Sequence, residues 1–186
     1  MSFLLHGSTG HTGMGWVDLV PRAGKLYIGG LYALYQGDLI DKAGITHVLS
    51  VIDYDPLLQE KFRHLKQYID TALNAENGGV FIHCAMGKSR SATLVCAYLI
   101  WKYNITPAAA LEQLCEGRPV CDPNPGFKEQ LEVWGEMCGV SSEEEKRNVY
   151  EAWEKDRFTG EVWEWEARLD KTREQQSQSK VARSKL

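Results

Sequence analysis

The chain has 186 residues, a length that holds one domain and an appendage, with 44% hydrophobic and 25% charged residues, which excludes a disordered or fibrous protein. A net charge of −4 argues against nucleic acid or an anionic membrane surface as partner. Five cysteines, at 84, 96, 115, 121 and 138, form no CxxC pair, which points to free thiols in a reducing compartment.

The opening "MSFLLHGSTG" lacks a basic n-region, so no secretory signal is expected, and residues 1–23 read as a flexible arm. An α/β unit is expected over 24–140, a helical extension over 141–171, and a polar, disordered tail over 172–186. Within the unit, residues 25–29 read as a short strand. Leu31–Lys42 reads as an amphipathic helix stopped by Gly44. "THVLSVI", 46–52, has the apolar, β-branched character of a buried parallel strand. Residues 57–77 support helix for much of their length, with Leu65, Ile69 and Leu73 four apart.

Gly78-Gly79 ends that helix, and "VFIH" is a second buried strand. A helix follows from Ser89 to Tyr103. Thr106-Pro107 is an N-cap with proline at the first helical position, opening a helix to Gly117. "RPVCDPNPG" is loop, Phe127–Cys138 is helix, and Ser142 with Glu145 forms a capping box. Two further helical segments are expected, broken at Thr159-Gly160 and carrying Trp153, Trp163 and Trp165. Alternating strands and helices predict an α/β fold, a mostly parallel central sheet flanked by helices, with a helical C-terminal extension.

The chemistry concentrates in "GGVFIHCAMGKSRSATLVCAYLI". A strand ending at His83, a glycine-containing loop and a helix from Ser89 together make an anion cradle. The amides of Ala85, Met86, Gly87, Lys88, Ser89 and Arg90 would turn inward at a helix N-terminus. The Arg90 fork matches two phosphate oxygens, and Cys84 in that field should ionise readily. Thiolate beside phosphate implies attack at phosphorus and a phosphocysteine intermediate, with Ser91 donating to the sulfur. "GKS" at 87–89 is not a nucleotide-binding loop, because that pattern needs glycine where Ile82 stands. Nor is it a thioredoxin-type motif, since position 87 is glycine.

"VFIHCAMGKSRSATLVCAYLI" resembles the signature loop of the cysteine-dependent dual-specificity protein phosphatases. "LYIGGLYAL", "AGITHVLSV" and "EGRPVCDPNPGFKEQLEVW" resemble the same family in the same order, so the likeness runs from about Trp16 to Gly139. It implies Cys84 as nucleophile, Arg90 as phosphate clamp and Ser91 as thiolate partner. It also implies that His83 tunes the cysteine and Asn124 braces the loop. The substrate it implies is a phosphorylated protein, with no metal or organic cofactor. One subgroup continues into a zinc-binding region. This chain has no cysteine after Cys138 and no histidine after His83, so that region is not repeated here.

The family's general acid is an aspartate on a loop about thirty residues before the cysteine, reached by a further strand and followed by a helix. Here 27 residues between Ile52 and Val80 must hold all of that. Asp53 has the right spacing, Asp55 precedes a proline turn, and Asp70 lies close to Cys84 unless the helix is lost; each also reads as a turn former or surface charge. Two readings stay open: a phosphatase preferring aryl phosphates, or a phosphoprotein-binding module that keeps the cradle. A third makes the tryptophan-rich extension an interaction surface. The chain ends in Ser184, Lys185 and Leu186, a peroxisomal address read by an import receptor. The expected location is cytoplasmic, with the peroxisomal matrix as the alternative.

Overall fold

A computed structural model describes residues 15–52 and 58–157, with Gly160, Glu164 and Ala167 beyond them, and only the backbone over 58–63. The sheet is assembled around β4 (Val80–Cys84), all five of whose residues are buried. Parallel to it on one side runs β2 (Leu26–Gly30), with Gly30 opposite Cys84; on the other runs β3 (His47–Ser50), with Ser50 opposite His83. β1 (Val17–Leu19) pairs antiparallel with β2, giving the order β1-β2-β4-β3. The sheet is therefore mixed but mostly parallel.

Strand alternation divides the side chains between two layers. Leu26, Ile28, Val80 and Ile82 enter the larger core, against Leu94, Val95, Leu99, Leu114 and Leu131. Tyr27 and Phe81 point the other way, onto Val17, Ala33, Leu39 and Ala43. The larger core belongs to α2 (Leu58–Asn74), α3 (Arg90–Tyr103), α4 (Pro107–Gly117) and α5 (Pro125–Gly139). The smaller is covered by a 3-10 helix at Leu31–Tyr35 and by α1 (Gly37–Ala43). α6 (Glu143–Lys155) packs on α5.

The caps expected at Thr106 and Ser142 formed, and Asn124, read from the sequence only as a brace for the loop, caps a third helix. Thr106 accepts from the Ala109 amide, Asn124 from the Phe127 amide, and Ser142 with Glu145 completes its reciprocal box. Gly44 closes α1 at φ 65°, a left-handed angle that glycine adopts without strain.

Three readings need correction. The arm assigned to 1–23 gives way to β1 and to Val20, both inside the sheet's packing; residues 1–14 lie outside the described residues. A strand of three residues shows no period to read. The Leu31–Lys42 helix is two pieces, because Gln36 leaves helical geometry (φ −108°, ψ 70°) and its amide reaches the Gly15 carbonyl. β3 is parallel but not buried: Val48 is 41% exposed, because among the described residues β3 is an edge strand, the next element being α2. Asp53, Asp55, Trp163, Trp165, Ser184, Lys185 and Leu186 lie outside the described residues, as does the 172–186 tail.

Among the described residues, no helix is long and apolar enough to cross a membrane, and no cluster of histidine, cysteine and carboxylate has the makings of a metal site.

Candidate active site

Cys84 ends β4 and Arg90 begins α3, so the five residues between them must reverse direction at the head of the helix. Gly87 makes this feasible. Its φ is 67°, and a β-carbon there would stand 2.3 Å from the Gly29 backbone, so the position excludes side chains twice over.

The loop's polarity is set from outside. The Ala85 carbonyl accepts from the Leu31 amide at 3.0 Å, and the Lys88 carbonyl from the Asp122 amide at 2.9 Å. The Met86 and Gly87 carbonyls accept from Nη2 and Nε of Arg118, at 3.1 and 2.8 Å. The Ser89 carbonyl starts α3 by accepting from the Thr93 amide at 2.8 Å. With the carbonyls drawn outward, the amides are left to face the sulfur. The Gly87 N–H donates to Sγ of Cys84 at 3.2 Å, and the Ser91 hydroxyl stands 3.3 Å from it.

These contacts set the acidity of the thiol. Burial pushes Cys84 up, but the Ser91 hydroxyl and the amides of Ser91, Gly87 and Lys88 outweigh burial and bring it down to about 7. The other cysteines lack that field. Burial pushes Cys96, Cys115 and Cys121 up, and Cys138 up to about 11. Cys84 is thus the one cysteine with substantial thiolate at neutral pH.

His83 is buried, stacked on Phe81 at 5.6 Å, and held between the Ser50 hydroxyl (2.7 Å) and the Cys84 carbonyl (3.3 Å). Burial lowers its pKa, so a neutral ring anchors β4 to β3 at the point where the loop departs. Asn124 braces the loop in two ways: its amide donates to the Ser89 hydroxyl at 3.0 Å, and its side chain caps α5. Arg90 is half-buried, and its Nη1 donates to the Ile52 carbonyl at 2.9 Å, linking the phosphate-clamp position to the end of β3.

Two contributors escaped the sequence reading. Arg118 is fully buried, paired with Asp18 of β1, and donates to both the Met86 and Gly87 carbonyls, the latter also accepting from the Cys121 thiol at 3.8 Å. Asp122 stands on the rim, 2.8 Å from Lys128 and 3.8 Å from Lys88. The only hint of Arg118 was its place in the "EGRPVCDPNPG" segment; the 100-residue separation from Asp18 left no local signal.

Of the three aspartates considered as proton donor, Asp70 is on α2 and engaged elsewhere. It accepts from Lys102 at 2.5 Å and from the Tyr98 hydroxyl at 3.1 Å, on the later half of α3. The Lys102 hydrogen bond holds it below the usual carboxylate range. An ionised, salt-bridged carboxylate has no proton to give, so Asp70 is excluded.

A sequence model described as "Dual specificity phosphatase, catalytic domain" matches residues 46–137. The chain is 34% identical over 138 residues to dual specificity protein phosphatase 1 of Arabidopsis thaliana, covering 63% of this chain and 69% of that one. It is 33% identical over 142 residues to dual specificity protein phosphatase 13B of Homo sapiens, covering 62% and 71%. The crystal structure of the Yvh1 phosphatase domain from Chaetomium thermophilum superposes with a TM-score of 0.56 at 35% identity, covering 68% of this chain and 99% of that one. The carbonyl-out loop, the lowered thiol and these likenesses agree, and the chain belongs to the dual specificity phosphatase family.

Proposed function

We propose that the chain hydrolyses phosphotyrosine, and with lower efficiency phosphoserine and phosphothreonine, in phosphorylated proteins through a phosphocysteine on Cys84. The observation that carries this reading is the outward turn of the Ala85, Met86, Gly87 and Lys88 carbonyls, which leaves a sulfur near half-ionisation among inward donors. The thiolate attacks phosphorus, forming the P–S bond as the bond to the leaving oxygen breaks. Arg90 and the loop amides hold the three peripheral oxygens. Water then attacks the same phosphorus, the P–S bond breaks, and phosphate and thiolate are released, with the Ser91 hydroxyl taking up the sulfur's charge.

Proton supply is the weak step. Asp70 is committed to Lys102, and Asp53 and Asp55 remain the candidate donors. General acid catalysis contributes about 10²–10⁴-fold, and a leaving group that departs as a stable phenolate needs it least. The protein is accordingly an aryl-phosphate-selective enzyme with reduced turnover of alkyl esters.

Rapid quenching during turnover of an aryl phosphate, followed by peptide mass spectrometry, tests the intermediate. A phosphoryl group on the peptide containing Cys84 is expected. Turnover with no such adduct, undiminished by Cys84→Ser, would contradict the mechanism.

A further inference from the structure

The far end of α3 borders a second concavity. A cavity of about 470 Å³ opens there, within the roughly 300–1,000 Å³ typical of small-ligand sites. Its apolar wall includes Trp101, Trp134 and Met137, and its rim carries Lys66, Lys146 and Arg147. Eleven residues of helix, about 16 Å, separate Trp101 from Arg90, so this cavity and the Cys84 loop are distinct sites.

Its composition is specific. The Trp134 indole N–H already donates to the Ala97 carbonyl at 3.0 Å, so that ring offers the cavity only apolar surface. Lys66 lies over the Trp101 ring, 5.1 Å from its centroid, and Lys102 lies 6.0 Å from the same centroid. Glu143 is the sole carboxylate among the lining residues, and it is bound to Lys146 at 2.8 Å. A wall with two indoles thus carries a net positive rim on a chain of net charge −4. A neutral apolar ligand would not require those cations, and a purely hydrophilic anion would waste the indoles.

We propose that this cavity binds a small aromatic anion, its ring against Trp101 and Trp134 and its carboxylate, sulfonate or phosphate held by Lys146 and Arg147. Ring–indole contact and cation–anion pairing at the rim favour the same orientation.

Titration of the full chain with anilinonaphthalene sulfonate, read by probe fluorescence and by calorimetry for stoichiometry, tests this. One saturable site is expected. The double variant Lys146→Ala/Arg147→Ala should bind about tenfold more weakly, as should the neutral probe phenylnaphthylamine with the parent. α6 buries none of its residues, so the variant keeps its fold, which circular dichroism and unchanged aryl phosphatase activity verify. Equal affinity of variant and parent, equal affinity for the neutral probe, or binding at many weak sites would each overturn the proposal.

Discussion

Nε of Arg118 donates to the carbonyl of Gly87 at 2.8 Å, and through this bond the loop after α4 controls the direction of the amides around Cys84. The guanidinium is fully buried and offset by Asp18, whose side chain is equally hidden. Removing one member of a buried pair leaves an uncompensated charge, at a cost of about 3–5 kcal/mol. Arg118→Met should lower stability in denaturant titration by that order. The double variant Asp18→Asn/Arg118→Met should recover part of it but not the rate, because the Met86 and Gly87 carbonyls still lack the guanidinium that draws them outward. Full recovery of turnover would contradict the positioning role. Arg118→Lys keeps the charge without the fork and should behave like the methionine variant in rate.

The acidity of Cys84 fixes a pH dependence. A thiol of pKa about 7 is mostly protonated at pH 6 and mostly thiolate at pH 8, so kcat/KM for an aryl phosphate should rise through neutrality. Ser91→Ala deletes a donor to the thiolate. The rising limb should move to higher pH, and breakdown of the phosphoenzyme should slow enough to give a burst in stopped-flow traces. An unmoved limb would mean that the hydroxyl does not stabilise the sulfur.

The same contrast among thiols predicts selective chemistry. Limiting iodoacetamide at pH 7 should alkylate Cys84 ahead of Cys96, Cys115, Cys121 and Cys138, and inorganic phosphate should slow that reaction alone. Peptide mapping reads both. Uniform labelling of all five would contradict the lowered pKa.

An exposed sheet edge carries its own expectation. β3 is outermost, Val48 is 41% exposed and Ile52 75%, the combination that invites edge-to-edge association. Val48→Lys should raise the concentration at which light scattering detects association and leave aryl phosphate turnover unchanged. Parent and variant associating alike would place the contact elsewhere.

What could be read beforehand was local. The strand–loop–helix at Cys84 and the caps at Thr106 and Ser142 depend on residues within a few positions, and each formed where the sequence put it. The shortness of the segment between Ile52 and Val80 was legible, and so was its helix, which the structure gives as α2 over Leu58–Asn74. What escaped was set by distance along the chain. β1 is defined by its pairing with β2, not by its own pattern, and Asp18 and Arg118 meet across 100 positions. The break at Gln36 likewise depends on its bond to Gly15, 21 residues away.

Steady-state hydrolysis of two small phosphates, one an ester of an acidic phenol and one of an alkyl alcohol, by the parent and by Cys84→Ser, tests the central claim most directly. The account predicts turnover of the aryl ester, a rate on the alkyl ester lower by about 10²-fold or more, and loss of both in the variant. Equal efficiency on the two esters would mean that an effective general acid is present. A folded parent that hydrolyses neither would contradict the assignment of Cys84 as a working nucleophile.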